Sequence, residues 1–182
     1  MSTITITAPT GKLASENRTR AGKSDTVAQI LQYMERTYHN SLKDELPRLA
    51  FLMAKVARAD GESYPEIQAA SRSFTELSRE ILSYLWREEQ VLFPWLRVSL
   101  QPVMGAAEST MLPVVLRSMQ IAHTAIRRML ARMAAITSGY SAPIGASSTY
   151  EVLLYELSSL DSLACDYLSA EEIAVLPLLG AR

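Results

Sequence analysis

From Ser24 onward the apolar residues recur every three to four positions, the spacing of one buried helix face rather than the alternation of a strand. Four such stretches follow one another. The first runs from Asp25 to about Arg58, carries Pro47, where a bend is expected, and stops at the turn signal Asp60-Gly61. The second starts near Pro65, a residue suited to the first helical position, and loses regularity around Pro94. After a Gly-, Pro- and Ser-rich connection, Ser99 to Ser109, the third spans about Thr110 to Ile136. The fourth opens at Ser148-x-x-Glu151, the form of a capping box, and reaches Pro177. Patterns of about 25 to 33 residues with connections of about 6 to 12 predict an all-α, antiparallel up-down-up-down four-helix bundle over residues 24–182. The polar residues 1–23 are expected to form a flexible N-terminal tail.

Composition narrows the function classes. With 182 residues and 48% hydrophobic content, the chain fills one core and falls short of two ordinary domains. Its 18 basic and 19 acidic residues leave a formal charge of −1, which offers nothing to nucleic acid or an anionic membrane surface. No uncharged apolar run reaches the length of a membrane span, and the N-terminal residues lack the apolar stretch of a signal peptide. A single cysteine, Cys165, cannot form an intrachain disulfide, so a reducing cytoplasm is the expected setting. Nothing in the pattern fixes an oligomeric state.

The candidate chemistry comes from an internal repeat. Near the end of the second helical pattern the chain reads Tyr84-Leu85-x-x-Glu88-Glu89, then Pro94-x-Leu96; near the end of the fourth it reads Tyr167-Leu168-x-x-Glu171-Glu172, then Pro177-x-Leu179. The only two histidines, His39 and His123, lie 45 and 44 positions before Tyr84 and Tyr167. Each predicted hairpin therefore carries a histidine on its first helix and a Tyr-x-x-x-Glu on its second. Tyrosine and glutamate at i and i+4 share a helix face, whereas Glu89 and Glu172 fall on another face and are expected to be solvated. With a turn near residue 62, His39 and Tyr84 both lie about 34 Å from it, at one level of the bundle, and a similar argument about the 138–147 connection brings His123 level with Tyr167. Two imidazoles, two phenols and two carboxylates then converge. Buried groups of that kind need a strong partner, for which a metal pair is the usual solution in such bundles; a metal-free relic of such a site is the competing reading.

These residues, with Tyr38-His39, Glu45-Leu46-Pro47, Lys55-Val56-Ala57, Glu88-Glu89-Gln90-Val91-Leu92-Phe93-Pro94 and Met119-x-x-x-His123, make the chain resemble the hemerythrin-like di-iron proteins, the repair-of-iron-centres family in particular. The likeness covers roughly residues 25 to 178. It implies a four-helix bundle around two non-haem irons and a role in nitrosative or oxidative stress. By position, His39 and His123 match histidine ligands, and Glu88 and Glu171 match bridging glutamates. Tyr84 and Tyr167 stand where the family has histidine. The family often has a further histidine at the position of Asp60, but Asp60 lies about 31 Å along a helix from His39 and is excluded as a co-ligand. The short cysteine-containing N-terminal domain of many members has no counterpart in the cysteine-free tail.

Two tyrosinates would add up to two negative charges to the donor set, and hard anionic donors favour ferric over ferrous iron. Reversible oxygen carriage is correspondingly disfavoured. Three readings remain: an oxidase or oxygenase with two irons (two Mn or mixed Fe/Mn being alternatives) in which Tyr84 or Tyr167 joins the redox chemistry; a repair-type stress protein with an altered site; and a metal-free bundle that binds a small apolar ligand or a protein partner. The first two take O2, NO or a small molecule as substrate. Glu35, one turn before His39, is a further candidate ligand or an acceptor behind the histidine. Arg127, Arg128 and Arg132 read as a solvated stripe, and Cys165 as a small core residue. No Ser-His-Asp set, phosphate loop or cysteine zinc cluster is present.

Overall fold

The computed structural model describes residues 26–99 and 107–180. The predicted tail, residues 1–23, lies outside them, as do residues 100–106 of the predicted Ser99–Ser109 connection. Helix α1 is continuous from residue 26, passes through a π-helical turn at Glu35–His39, and continues as Asn40–Ala59. Helix α2 spans Glu66–Arg87, passes through a second π-helical turn at Glu88–Leu92, and continues as Phe93–Ser99. Helix α3 is Ala107–Ile136 and α4 is Ser148–Ala174, followed by a short α5, Leu176–Gly180. Helix α1 packs against α2 and α4, while α2 and α4 also flank α3, so α1 faces α3 and α2 faces α4 across the diagonals. This is the predicted four-helix bundle.

The apolar stripes meet as their spacing requires. Leu42, Leu46, Leu49 and Met53 of α1 are buried against Phe74, Leu77 and Ile81 of α2, Ile126 and Leu130 of α3, and Leu153, Leu157 and Leu160 of α4 within one core. Pro47 in α1 and Pro113 in α3 sit inside continuous helices. Each removes one backbone hydrogen bond; at Pro47 the burial of Leu46 and Leu49 on either side holds the helix through the loss.

Several boundaries differ from the expectation. The second pattern does not end at Pro94: the π turn just before it absorbs the break and the helix runs on to Ser99. The cap of α4 is Ser147, one residue earlier than predicted, with extended backbone and a side chain that accepts from the Tyr150 amide at 3.2 Å. Tyr150, not Glu151, therefore occupies the third helical position, and no reciprocal glutamate contact forms. The two hairpin turns are also tied together, since the Ser147 hydroxyl donates to Asp60 at 2.8 Å and the Tyr64 hydroxyl donates to the Ile144 carbonyl at 3.1 Å. Asp60 thus sits at the turn end of the bundle, consistent with its exclusion from the site. In the second turn Ser138, Gly139 and Tyr140 all take positive φ (50°, 70° and 62°). That is costly for the two non-glycine residues; the Tyr140 hydroxyl, donating to Asp161 at 2.8 Å, anchors the turn against α4.

The π turn in α1 alters the register of the repeat; the one in α2 does not, since the two halves align without a gap from Tyr84 to Leu96. A π turn accommodates one extra residue. Counting that residue in the first half, Met34 pairs with Met119, both buried, and Tyr33 pairs with Ser118, both exposed. His39 lies in one π turn and Glu88 opens the other, while α3 and α4 are plain α-helix around His123 and Glu171. The halves match in sequence but are not built identically.

Candidate metal centre

All six predicted residues converge in the bundle interior: His39, Tyr84, Glu88, His123, Tyr167 and Glu171 are each at most 4% exposed. Their pairing crosses between the halves. The Tyr84 hydroxyl donates to Glu171 Oε1 at 2.7 Å and lies 3.0 Å from His123 Nε2, and His123 Nε2 lies 2.9 Å from Glu171 Oε2. On the other side the Tyr167 hydroxyl donates to Glu88, whose Oε2 lies 3.3 Å from His39 Nε2; the Tyr167 and His39 rings meet edge-on at 5.4 Å. The spacing argument set each histidine level with the tyrosine of its own hairpin. The contacts instead join each tyrosine to the other hairpin's histidine, because α2 neighbours α3 and α4 neighbours α1.

Two expectations are corrected. Glu89 and Glu172 are only partly solvated and pair with the histidines: Glu89 Oε1 is 2.8 Å from His39 Nδ1, and Glu172 Oε1 is 2.9 Å from His123 Nδ1. Each carboxylate is held by a cation one turn beyond its histidine. Lys43 donates to both oxygens of Glu89, and Arg127, read as part of a solvated stripe, donates to Glu172 at 3.0 and 3.3 Å. The adjoining helix covers the face that one-helix reasoning assigned to water. Glu35 goes elsewhere: it accepts from Arg97 at 2.8 Å near the surface, because the π turn rotates it away from His39. Cys165 sits against the core with its thiol near Asp161.

The electrostatics of the halves differ. An ionised Glu89 only accepts, so His39 Nδ1 carries the hydrogen and its Nε2 lone pair faces the interior. Burial holds His39 below the ordinary histidine range, against the pull of Glu89. At His123 burial works in the same direction, but Glu171 and Glu172 outweigh it and hold the ring above that range. The Glu88 carboxyl is pushed well above its ordinary value, first by burial and next by the negative charge of Glu171 beside it. Burial, then the Glu88 and Glu171 charges, hold the Tyr84 phenol far above its usual 10.

These residues fit a metal ion, on two observations. His39 Nε2 and Glu88 Oε1 are buried without a hydrogen-bond partner, and a histidine lone pair 3.3 Å from a Glu88 oxygen calls for a proton on that carboxyl or a metal ion between them. Around His123 the Tyr84, His123 and Glu171 donor atoms are 2.7–3.0 Å apart, close to the separation of about 3 Å for donors at right angles on a six-coordinate ion with bonds of about 2.1 Å. Among the described residues no three His, Cys, Asp or Glu side chains close around one point. Each half reaches three donors only through its tyrosine.

A family model described as the hemerythrin HHE cation-binding domain matches residues 30–179. The chain belongs to this family. It is also similar to the iron-sulfur cluster repair protein YtfE of Escherichia coli and of Shigella boydii, 24% identical over 172 residues, covering 94% of this chain and 74% of each relative. The matched region covers nearly the whole bundle, and no helix among the described residues is long and apolar enough to cross a membrane.

Proposed function

We propose that the cluster is a two-ion, non-haem iron centre of His2Tyr2Glu2 composition, used in redox chemistry on O2, NO or a small molecule. His39, Glu88 and Tyr167 would hold one ion, and His123, Glu171 and Tyr84 the other. When bound, the ions supply Lewis acidity and one-electron redox change. The protein's own residues set the terms. Glu89 and Glu172 fix the histidine tautomers and orientations, burial excludes bulk water, and the phenols, once deprotonated, weight the balance towards the ferric state. The observation that carries this reading is the unpartnered His39 Nε2 facing the Glu88 carboxylate. Similarity to proteins named for iron-sulfur cluster repair supports oxidative or nitrosative stress as the setting.

Metal analysis of the aerobically purified chain tests it. About two metals per chain are expected, with most lost in Glu88→Ala or Glu171→Ala because each carboxylate would also bridge to the second ion. Ferric-phenolate absorption should colour the iron-loaded protein blue to purple, and Tyr84→Phe and Tyr167→Phe should each weaken the band while Tyr33→Phe leaves it unchanged. Absence of metal after expression in iron- and manganese-rich medium rules the reading out. A second reading, a metal-free bundle that binds an apolar ligand or a partner, draws on the direct Tyr84–Glu171 and Tyr167–Glu88 hydrogen bonds, by which the cluster closes on itself.

A further inference from the structure

The bundle wall beside Tyr167 is filled, and the wall beside Tyr84 is not. In the first half Tyr38 precedes His39 and its ring packs 5.8 Å from that of Tyr167, with Tyr33 stacked edge-on at 6.0 Å behind it. In the second half Ala122 precedes His123, and Ser118 stands at the position matching Tyr33. Beside Tyr84 lies a half-open cavity of about 290 Å³ lined by Tyr84, Arg87, Glu88, Trp95, Val115 and Ser118 among others, Ala122 not being one of them. Its walls are almost wholly apolar. Its inner end is formed by Tyr84 and Glu88, two members of the donor cluster.

We propose that this cavity is the ligand pocket of the site, and that it takes a neutral, largely apolar molecule of two-ring size with one end against Tyr84 and Glu88. The inference rests on reading the donor cluster as the functional centre, and it names that centre's substrate class. Size points to the class, since an apolar cavity of about 150 Å³ holds benzene and this one has roughly twice that volume. O2 and NO need only a fraction of it. Charge points the same way. Among the lining residues the cation is Arg87, which already faces Glu80 at 3.5 Å and the Tyr84 ring at 5.7 Å; past it, an anion would lose its hydration against apolar walls and meet the Glu88 carboxyl at the inner end.

Calorimetric titration of the purified full-length chain with indole tests this, with metal content measured on the same sample. Saturable one-site binding is expected, shifting the Trp95 indole N–H resonance and not that of Trp86, which is exposed on the outer face of α2. Ser118→Phe restores an aromatic at the position matching Tyr33, and Val115→Phe fills the cavity from its wall. Each should weaken indole binding at least about tenfold while helical content and metal content stay at wild-type levels. Indole-3-carboxylate should bind at least about tenfold more weakly than indole. The pocket is overturned if indole shows no saturable binding, if binding is indifferent to both substitutions, or if the carboxylate binds equally well. A metal-free sample that binds indole refutes the two-ion reading and leaves the pocket standing; a metal-loaded sample that does not bind refutes the pocket alone.

Discussion

The carboxylates behind the histidines give the sharpest test of how the site is held. Glu89→Ala removes the acceptor of His39 Nδ1–H and strands Lys43, which donates two hydrogen bonds to that carboxylate. Burial works against ionisation of Glu89, yet its bonds to Lys43 and His39 prevail and hold it below the ordinary range, so an ionised acceptor is what the substitution deletes. Losing such an outer partner costs about 10- to 100-fold in metal affinity, or about 1.4–2.7 kcal/mol. The Glu89 side chain is 21% exposed and that of Glu172 is 38% exposed. Solvent screening is stronger at Glu172, so Glu89→Ala should fall in the upper part of that range and Glu172→Ala in the lower. Competition of apo-protein with a chelator of known affinity reads both. Affinities within about twofold of wild type for both variants, or a larger loss for Glu172→Ala, would refute the orienting role.

Other consequences are more local. Ser147→Ala should cost about 1 kcal/mol of stability in chemical denaturation, and somewhat more for the lost bond to Asp60; an unchanged midpoint would show that the turn holds without its cap. Gly61→Ala should also destabilise, because an added Cβ would lie 2.2 Å from the Ala57 carbonyl oxygen, and a neutral result would mean that the turn shifts freely. In metal-free protein the raised Glu88 carboxyl contributes stability that is full below its unfolded value of about 4.5 and is lost as pH rises towards the folded value. Glu88→Gln keeps the uncharged form, so its melting temperature should exceed that of metal-free wild type at about pH 8 and converge with it near pH 4; a gap independent of pH would assign the effect elsewhere.

The helices were legible because burial on one face imposes a 3.6-residue period that survives Pro47 and Pro113. The convergence of six side chains was legible because the repeat sets both histidines at nearly the same distance from their Tyr-x-x-x-Glu. What single-helix reasoning missed depends on neighbouring helices. Glu89 projects from a face of α2 that looks solvated until α1 lies beside it. A signal was nevertheless present: Glu-Glu occurs in both halves, and a basic residue, Lys43 or Arg127, follows each histidine by four positions. Reading the repeat as His-x-x-x-Lys/Arg with Glu-Glu would have found both outer pairs. The π turns leave no comparable mark: the extra residue of the first shows only when the halves are aligned on Met34 and Met119, and the second adds none.

That insertion argues against treating the halves as equivalent. His39 is buried and held neutral, stacked 5.3 Å from Phe93 with Tyr38 and Tyr33 closing its side of the cluster. His123 meets a carboxylate at each ring nitrogen and is biased towards the cation, and its partner Tyr84 borders a cavity and lies under the Arg87 guanidinium. A phenolate at Tyr84 is the one that a nearby cation stabilises and that an incoming ligand meets; a phenolate at Tyr167 is walled in by aromatic rings. An ion held by His39, Glu88 and Tyr167 would therefore be the shielded member of a pair, and one held by His123, Glu171 and Tyr84 the member within reach of exchange. The same donor set, repeated twice by sequence, is given two different environments by one extra residue in α1 and by a small residue, Ala122, where the first half has Tyr38.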